Sequence, residues 1–108
     1  MQNPDKQENT VKILGEIDRM IHEPARLMIM AYLYVIESAD FVFMMRQTGL
    51  SKGNLSSHLS KLESAGYVDI RKEFVKKIPR TFLSLSQTGR EAFDRYQQQM
   101  KLFLTELP

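Results

Sequence analysis

Two helix-length segments joined by a very short turn constrain the fold of this chain more than any other feature of its sequence. Asp40 can cap a short helix that Gly49 ends, because glycine adopts the left-handed conformation beyond a helix C-terminus at little cost. Ser51 can then cap a second helix over Lys52–Ala65, which Gly66 ends in the same way. Two helices connected by a short turn that contains glycine are typical of a helix-turn-helix.

Two further helices are predicted upstream of this pair. Apolar residues recur at spacings of three and four from Thr10 to about Ile21, which indicates an amphipathic helix. The segment that begins at Pro24 is apolar around much of its circumference, so we expect its helix to be the most buried one. Residues 1–9 are polar and lack this periodicity, and we expect a disordered tail there, followed by a single domain over residues 10–108.

Downstream of Gly66 the apolar period changes from three or four residues to two. Val68 and Ile70 alternate with charged residues, and Leu83 and Leu85 alternate with small polar ones, which predicts two strands. The lysine-containing segment between them must turn the chain. The sequence therefore predicts a two-stranded hairpin with a basic tip.

A long C-terminal helix is predicted after the second strand. It starts near Ser86 or Thr88 and runs toward Leu104. Thr88 and Glu91 have the spacing of a capping box. The fold class that follows from these elements is α+β, mostly α.

The order of these elements resembles that of winged-helix transcriptional regulators of the broad ArsR/MarR-like kind. The motifs that carry the resemblance are HEPAR at residues 22–26, LSKGNLSSHLSKLESAGYV at 50–68 and PRTFLSLSQTGREAF at 79–93. The resemblance extends from residue 11 to about residue 96. It implies a winged helix-turn-helix with a two-stranded β-hairpin wing and a long C-terminal helix. The function that it implies is a homodimeric transcriptional regulator, by default a repressor, that binds double-stranded DNA at specific sequences.

The helix over Lys52–Ala65 has a face that is suited to the major groove of DNA. Its leucines, at spacings of four and three, predict one buried stripe and leave the opposite face small, polar and almost uncharged. Asn54 can bond adenine with two atoms, whereas Lys52 and Lys61 suit phosphates or guanine. Five serines are unfavourable in so short a helix, which favours a functional face over the alternative of a merely solvated one. The resemblance implies that His58 contacts a phosphate, with a structural role as the alternative. The candidate DNA contacts of this helix and its cap are Ser51, Lys52, Gly53, Asn54, Ser56, Ser57, His58, Ser60 and Lys61.

The hairpin supplies a second set of candidate contacts with DNA. Residues 51–90 contain eight Lys and Arg against three Asp and Glu, so this segment carries +5 while the remainder of a +2 chain carries −3. Such an uneven distribution favours a polyanionic partner, and a basic wing suits the backbone or the minor groove. The alternative is that these charges only protect an edge strand from aggregation. The candidate contacts of the hairpin are Arg71, Lys72, Lys76, Lys77 and Arg80.

Apolar residues of the last helix follow a heptad-like spacing of three and four, which suits packing against a partner. The amphipathic helix near the N-terminus offers a second apolar stripe, and together the two exceed what one small core needs. We therefore expect a homodimer that uses one or both terminal helices. The alternative is that the last helix folds back on its own domain. The candidate dimerisation residues are Ile13, Ile17, Met20, Phe93, Tyr96, Met100, Phe103, Leu104 and Leu107.

Several classes of function find no support in the sequence. Cysteine is absent, and His22 and His58 lie on different predicted elements, so we expect no metal site and no cofactor. No catalytic motif is present, so we expect no enzymatic activity. No apolar run approaches a membrane span and the N-terminus does not resemble a signal peptide, so we expect a cytoplasmic protein without membrane contact. Two alternatives to sequence-specific binding stay open, a winged helix that binds another protein and a nonspecific architectural DNA binder. A small-molecule effector is also left open.

Overall fold

The computed structural model describes residues 4–107 of the chain, with side chains from Asn9 onward. The helices are α1 (Pro4–Gly15), α2 (Pro24–Val35), α3 (Phe41–Thr48), α4 (Lys52–Ser64) and α5 (Gln87–Glu106). The strands are β1 (Ala39–Asp40), β2 (Val68–Val75) and β3 (Ile78–Leu85). They form one antiparallel sheet in the order β1-β3-β2. The predicted fold class and the winged helix-turn-helix are confirmed, with one strand more than the predicted hairpin.

The helix-turn-helix consists of α3 and α4, and its ends lie close to where the sequence predicts them. The Asp40 carboxylate accepts hydrogen bonds from two backbone amides at the start of α3, at 2.7 and 3.3 Å. Gly49 follows α3 with φ +70° and Gly66 follows α4 with φ +80°, both in the left-handed region. The Ser51 hydroxyl caps α4 by accepting a hydrogen bond of 3.1 Å from the Asn54 amide. These local caps fix the short turn that sets α4 at an angle to α3.

The core lies between α2, the helix-turn-helix, the sheet and the first half of α5. Helix α2 starts with Pro24, and the Glu23 carboxylate caps it by accepting a hydrogen bond of 2.8 Å from the Arg26 amide. The leucine stripe of α4 is buried as predicted, which fixes the rotation of this helix and turns its polar face outward. The largest fully buried side chains are Ile21, Ile29, Met30, Leu33, Met44, Leu55, Leu59, Leu62, Val68 and Leu83.

The first helix differs from its prediction at both ends. It begins at Pro4, so the prediction of a disordered tail is wrong for residues 4–9, and residues 1–3 lie outside the described part of the chain. It ends at Gly15 rather than near Ile21, because the Asp18 carboxylate accepts hydrogen bonds from the Met20 and Ile21 amides, at 2.9 and 3.3 Å. A side chain that bonds nearby amides in this way competes with the helix. The apolar spacing that suggested a longer helix therefore belongs to a turn whose isoleucines enter the core.

The start of helix α5 is hydrogen-bonded to the segment between α4 and β2. Ser86, not Thr88, caps it: the Ser86 hydroxyl accepts a hydrogen bond of 2.9 Å from the Gly89 amide and donates one to the Gly66 carbonyl. The Ser86 amide also donates to the Tyr67 carbonyl, at 3.0 Å. The backbones are so close here that a Cβ on Gly89 would lie 2.0 Å from the Tyr67 oxygen. The predicted capping box at Thr88 is therefore wrong, and the helix begins where the chain leaves β3.

The β2–β3 hairpin, called the wing from here on, closes through a two-residue turn. Lys76 and Lys77 occupy the turn with φ of 52° and 67°, and Val75 pairs with Ile78 directly before and after it. Two consecutive left-handed residues define a turn that Asn-Gly normally fills. The wing and the long α5 make the molecule elongated, with extents of 65 × 25 × 21 Å.

Candidate nucleic-acid interface

The outward face of α4 carries the side chains that the sequence predicts for reading DNA. All of its candidates except His58 are exposed, and none of them contributes to the core. Ser51 is also exposed, and its hydroxyl serves at the same time as the cap of α4. The face has no acidic residue between Lys52 and Lys61, and its side chains are short on the side opposite the leucines. Such a surface can approach base edges closely in the major groove.

An open cleft separates α4 from the wing and brings part of both candidate sets together. Lys52, Ser56 and Ser60 line it from α4, and Lys72 and Thr81 line it from the wing. Its other lining residues are Phe41, Leu59, Glu63, Ile70 and Leu83. Among the five basic candidates of the wing, Lys72 is the one that lines this cleft.

The wing has two faces, because successive side chains of a strand point in opposite directions. One face, called the inner face, continues from the core residues Val68 and Leu83. The cross-strand pairs of the inner face are Ile70 with Leu83, Lys72 with Thr81, and Phe74 with Pro79. The pairs of the opposite, outer face are Arg71 with Phe82, Glu73 with Arg80, and Val75 with Ile78. The predicted wing contacts are therefore divided, with Lys72 on the inner face and both arginines on the outer face.

Both arginines of the outer face have partners within the chain. Arg71 forms an ion pair with Glu73, and its guanidinium lies 5.5 Å from the centre of the Phe82 ring. The Arg80 guanidinium lies 3.2 Å from the Asp40 carboxylate. The arginine side chains remain 57% and 48% exposed, so these pairs are weak surface interactions that a phosphate can replace.

The carboxylate of Asp40 serves two elements at once. Burial alone would raise its pKa, but the hydrogen bonds from the Val42 and Phe43 amides and the Arg80 guanidinium outweigh burial, so the pKa lies below its ordinary value. Asp40 therefore stays ionised at neutral pH, caps α3 and holds the wing arginine near the helix-turn-helix.

The lysines of the turn differ from the arginines. Lys76 and Lys77 are exposed at the end of the wing, and among residues 9–107, whose side chains the structure describes, neither forms an ion pair. Their charges are therefore fully available to an external anion.

His58 belongs to a polar cluster that joins α4 to the start of α2. Its Nδ1 lies 3.3 Å from Nη1 of Arg26, and Nε of Arg26 donates a hydrogen bond of 2.6 Å to the Met20 carbonyl. The Glu23 carboxylate lies 3.9 Å from Nη1 of Arg26 and 3.7 Å from Nδ1 of His58. Because arginine can only donate, Nδ1 of a neutral His58 accepts and the ring proton lies on Nε2. His58 thus has a structural role, and Nε2–H is left as a donor.

Glu23 is the acidic member of this cluster. Burial would raise its pKa, but hydrogen bonds from the Arg26 and Ala25 amides lower it below the ordinary value, together with the charge of Arg26 and, when its ring is protonated, the charge of His58. The roles of Glu23 and Arg26 are not among the sequence-based predictions. The signal that could have found the cap is the Glu23-Pro24 pair, since a capping side chain directly before a helix-starting proline is a helix N-terminus signature.

The second histidine lies in a different environment. His22 Nδ1 is 2.8 Å from the Tyr96 hydroxyl, so it connects the turn before α2 to α5. Burial raises the pKa of Tyr96. Within the described residues, no group of three or more His, Asp or Glu side chains is arranged to hold a metal ion.

The candidate dimerisation residues fall into two groups. Ile17, Phe93 and Tyr96 are each 5% exposed in the chain's own core, so their assignment to a dimer interface is wrong. In the first half of α5, the heptad-like spacing reflects packing on α2, where the Phe93 and Tyr34 rings lie 5.1 Å apart. At the other end of α5, Leu104 and Leu107 are 57% and 45% exposed. The remaining candidates are partly exposed: Ile13, Met20, Met100 and Phe103.

Helix α1 packs beside the end of α5 and adds apolar surface that the prediction did not include. Ile13 and Leu102 line a shallow groove between the two helices. On α1, Val11 is 71% exposed and Leu14 is 43% exposed. Five exposed apolar side chains are thus present at this end of the described chain, Val11 and Leu14 on α1, Leu102 and Leu104 on α5, and Leu107 directly after α5.

A helix-turn-helix followed by a hairpin wing that lies beside its second helix defines a winged helix-turn-helix protein. The chain belongs to the winged helix DNA-binding domain family, whose sequence profile matches residues 25–104. The resemblance to winged-helix transcriptional regulators is therefore confirmed, and the protein is a DNA-binding regulator of that kind. Within residues 4–107, no helix is both long enough and apolar enough to cross a membrane.

Similar proteins match most of the chain, one of them in sequence and two in fold. An uncharacterized protein of Methanocaldococcus jannaschii is 33% identical over 78 residues, which cover 72% of this chain and 85% of that protein. The transcriptional regulator homologue protein from Pyrococcus horikoshii OT3 is 27% identical, with a TM-score of 0.79 and coverage of 94% of this chain and 95% of that one. The PcaV transcriptional regulator from Streptomyces coelicolor is 16% identical, with a TM-score of 0.68 and coverage of 96% and 79%.

Proposed function

We propose that the protein is a homodimeric regulator that binds double-stranded DNA at a specific sequence and represses transcription by occupying that site. The observation that carries this proposal is the cleft between α4 and the wing. There the small, exposed, nearly uncharged face of α4 lies beside Lys72 of the wing. A nearly uncharged face contributes little to nonspecific electrostatic attraction to DNA. Its polar side chains are therefore suited to hydrogen bonds with base edges.

The exposed side chains of α4 have different roles in this proposal. Asn54 bonds an adenine through both atoms of its carboxamide, while Ser56 and Ser57 donate to or accept from neighbouring bases. Lys52 and Lys61 bind phosphates, as does the positive N-terminal end of the helix. His58 donates Nε2–H to the backbone while Arg26 holds the other side of its ring. The wing lysines supply the electrostatic attraction that does not depend on sequence.

The homodimer is supported by the apolar surface at the end of the molecule formed by α1 and the last turns of α5. Val11, Leu14, Leu104 and Leu107 are all more than 40% exposed, although none of them contributes to the core. A two-fold axis through these helices buries this surface and presents two copies of α4 to half-sites about one helical turn of DNA apart. The operator is therefore expected to be palindromic.

Selection from a random duplex pool tests the DNA-binding part of the proposal. The fraction retained by the protein is sequenced, and fluorescence anisotropy then gives the affinity at two salt concentrations. We expect a palindromic sequence and an affinity that falls about 10³–10⁵-fold between 50 and 200 mM salt, as for 6–10 phosphate contacts. A steep fall without sequence enrichment supports a nonspecific architectural binder instead. Absence of binding at low salt refutes DNA recognition and leaves a protein-binding winged helix.

Light scattering of purified variants tests the dimer. The double variant Leu104→Glu, Leu107→Glu places charges in the proposed interface and is expected to have the mass of one chain, whereas the wild type has the mass of two. Val35→Glu is the matched control, because Val35 is 82% exposed on α2 and its substitution adds a charge outside the proposed interface. A wild-type protein with the mass of one chain at micromolar concentration, both free and on a palindromic duplex, would contradict the dimer.

A reporter gene tests repression. The selected sequence is placed over the start site of a promoter, and the reporter is measured with and without the protein. We expect lower expression with the protein and no change with Asn54→Ala. Higher expression with the wild type would identify an activator.

A further inference from the structure

The end of the wing is apolar on both faces as well as basic. We call residues Phe74–Pro79 the wing tip. Phe74 is 78% exposed, Ile78 is 56% exposed and Val75 is 37% exposed. Phe74 and Pro79 are cross-strand partners on the inner face, and Val75 and Ile78 are partners on the outer face. Ile78 and Pro79 also line an open groove beside Phe41 and Phe43 of α3. Phe74 is not part of that groove, so folding of the chain alone does not explain its apolar character.

The charges of the wing tip point to the kind of partner that covers this apolar surface. Lys76 and Lys77 adopt left-handed conformations that Asn and Gly adopt more easily, so the turn keeps two lysines against its local conformational preference. Lys72 lies two residues before Phe74 on the inner face and lines the cleft beside Lys52 and Ser56 of α4. The apolar wing tip is therefore continuous with the surface proposed to bind DNA, and its lysines match a chain of phosphates.

A wing of this kind is expected to lie in the minor groove next to the major groove bound by α4, and we propose that Phe74 acts there as an apolar wedge that bends the duplex. This inference rests on the proposed function, since it requires α4 to bind double-stranded DNA. Phe74 packs against the deoxyribose walls and partly unstacks a base step, with Pro79 beside it. Lys76 and Lys77 bind the phosphates on either side of the groove. Insertion of apolar side chains from the minor groove opens it and bends DNA toward the major groove.

The dimensions of the groove and of the wing require this deformation. The minor groove of B-DNA is about 6 Å wide. A two-stranded hairpin with side chains on both faces is closer to 10 Å thick, the spacing at which sheets pack face to face. Entry of the wing tip therefore requires a wider groove. Flexible TA and CA/TG steps widen most easily, so the protein is expected to prefer them at positions that α4 does not touch.

Fluorescence resonance energy transfer between the ends of a duplex of about 30 base pairs measures the bend. The duplex carries the selected site, and the wild type is expected to shorten the end-to-end distance by an amount that corresponds to a bend of about 20–90°. Phe74→Ala is expected to leave the bound duplex nearly straight, to keep the salt dependence of the wild type, and to keep its melting temperature because Phe74 is exposed. Phe74→Leu retains an apolar wedge and is expected to keep most of the bend.

A variant without the lysine charges is expected to lose salt dependence and keep the bend, the opposite of Phe74→Ala. Lys76→Ala, Lys77→Ala is expected to weaken binding and flatten its salt dependence, while the duplex bound at low salt stays bent. A duplex with a TA step in the minor groove next to α4 is compared with one in which AA replaces that step. The replacement is expected to weaken DNA binding by the wild type on the order of tenfold and to leave binding by Phe74→Ala almost unaffected.

The outcomes separate this inference from the proposed function. Binding to a duplex that stays straight overturns the wedge and leaves the regulator intact, as does a Phe74→Ala variant that bends DNA as much as the wild type. Failure to bind any duplex overturns both.

Discussion

Replacing Lys76-Lys77 with Asn-Gly should stabilise the protein and weaken its binding to DNA at the same time. The two lysines have φ of 52° and 67°, and a non-glycine residue in this region costs about 1–2 kcal/mol. Asn tolerates the conformation and Gly adopts it freely, while the added flexibility of Gly in the unfolded chain offsets about 0.4–1 kcal/mol. The net gain in the free energy of unfolding is about 1 kcal/mol, or roughly 4–8 °C in Tm for a domain of about this size.

The effect on DNA binding is larger and has the opposite sign. Each phosphate contact contributes about 0.9 to the slope of log affinity against log salt. If the protein is the proposed dimer, the variant loses four lysine contacts and should therefore lose about 3.6 from this slope. Between 50 and 200 mM salt, the affinity of the wild type should fall about 10²-fold more than that of the variant.

Thermal unfolding and anisotropy titrations at four salt concentrations test both effects on the same preparations. The variant Lys76→Arg, Lys77→Arg is the control, because it keeps the charges and the strained turn and should match the wild type in both assays. The reasoning is refuted if Asn-Gly leaves the salt slope unchanged, since the lysines then contact no phosphate. A lower Tm would refute the strain argument separately.

Four further substitutions test the fold and the reading face. Asn54→Ala should cost roughly 1–3 kcal/mol on the preferred duplex and little on random DNA, and equal losses on both would show that Asn54 reads no base. Burial and the hydrogen bond to Asp18 raise the pKa of Tyr67 from 10.0 to about 12, so its contribution to stability is full below pH 10 and is lost as the pH rises toward 12. Tyr67→Phe should therefore show a shallower loss of urea stability between pH 10 and 12, and parallel curves would contradict this assignment. Gly89→Ala should lower the free energy of unfolding by about 3 kcal/mol or more, because the added Cβ meets the Tyr67 backbone. Gly53→Ala, whose added Cβ has no atom within 4 Å apart from its chain neighbours and the backbone of its own helix, should raise it by about 0.5–1 kcal/mol, and similar effects of the two glycine substitutions would refute the packing argument.

The helix-turn-helix could be predicted from the sequence because each of its boundaries has a local cause. Asp40 and Ser51 bond amides that lie within three residues, and Gly49 and Gly66 need only their own φ. Periodicity likewise predicted the buried stripe of α4, since one helical face must meet the core. These features depend on a few neighbouring residues and not on how distant segments meet.

Features that depend on distant segments could not be predicted in the same way. β1 consists of only two residues, and its pairing of Ala39 with Leu83 joins positions far apart in sequence. The spacing of apolar residues in α5 shows which face is apolar but not what covers it, so Phe93 was assigned to a partner although the chain's own α2 covers it. Similarly, the division of the wing into two faces depends on strand register, which places Lys72 beside α4 and Arg71 away from it.

The contact between the start of α5 and the two residues before β2 means that α5 and the wing move together as one rigid unit. Ser86 and Gly89 fasten the helix to the Gly66 and Tyr67 backbone, so the wing must follow any rotation of α5. The helix has 20 residues and is therefore about 30 Å long. A rotation of about 5° about one end of a helix of this length displaces the other end by roughly 2.6 Å, as much as the length of a short hydrogen bond. In the proposed dimer, small angular changes where α5 ends would thus become a different separation of the two wings, so residues far from the DNA would set the match to half-site spacing.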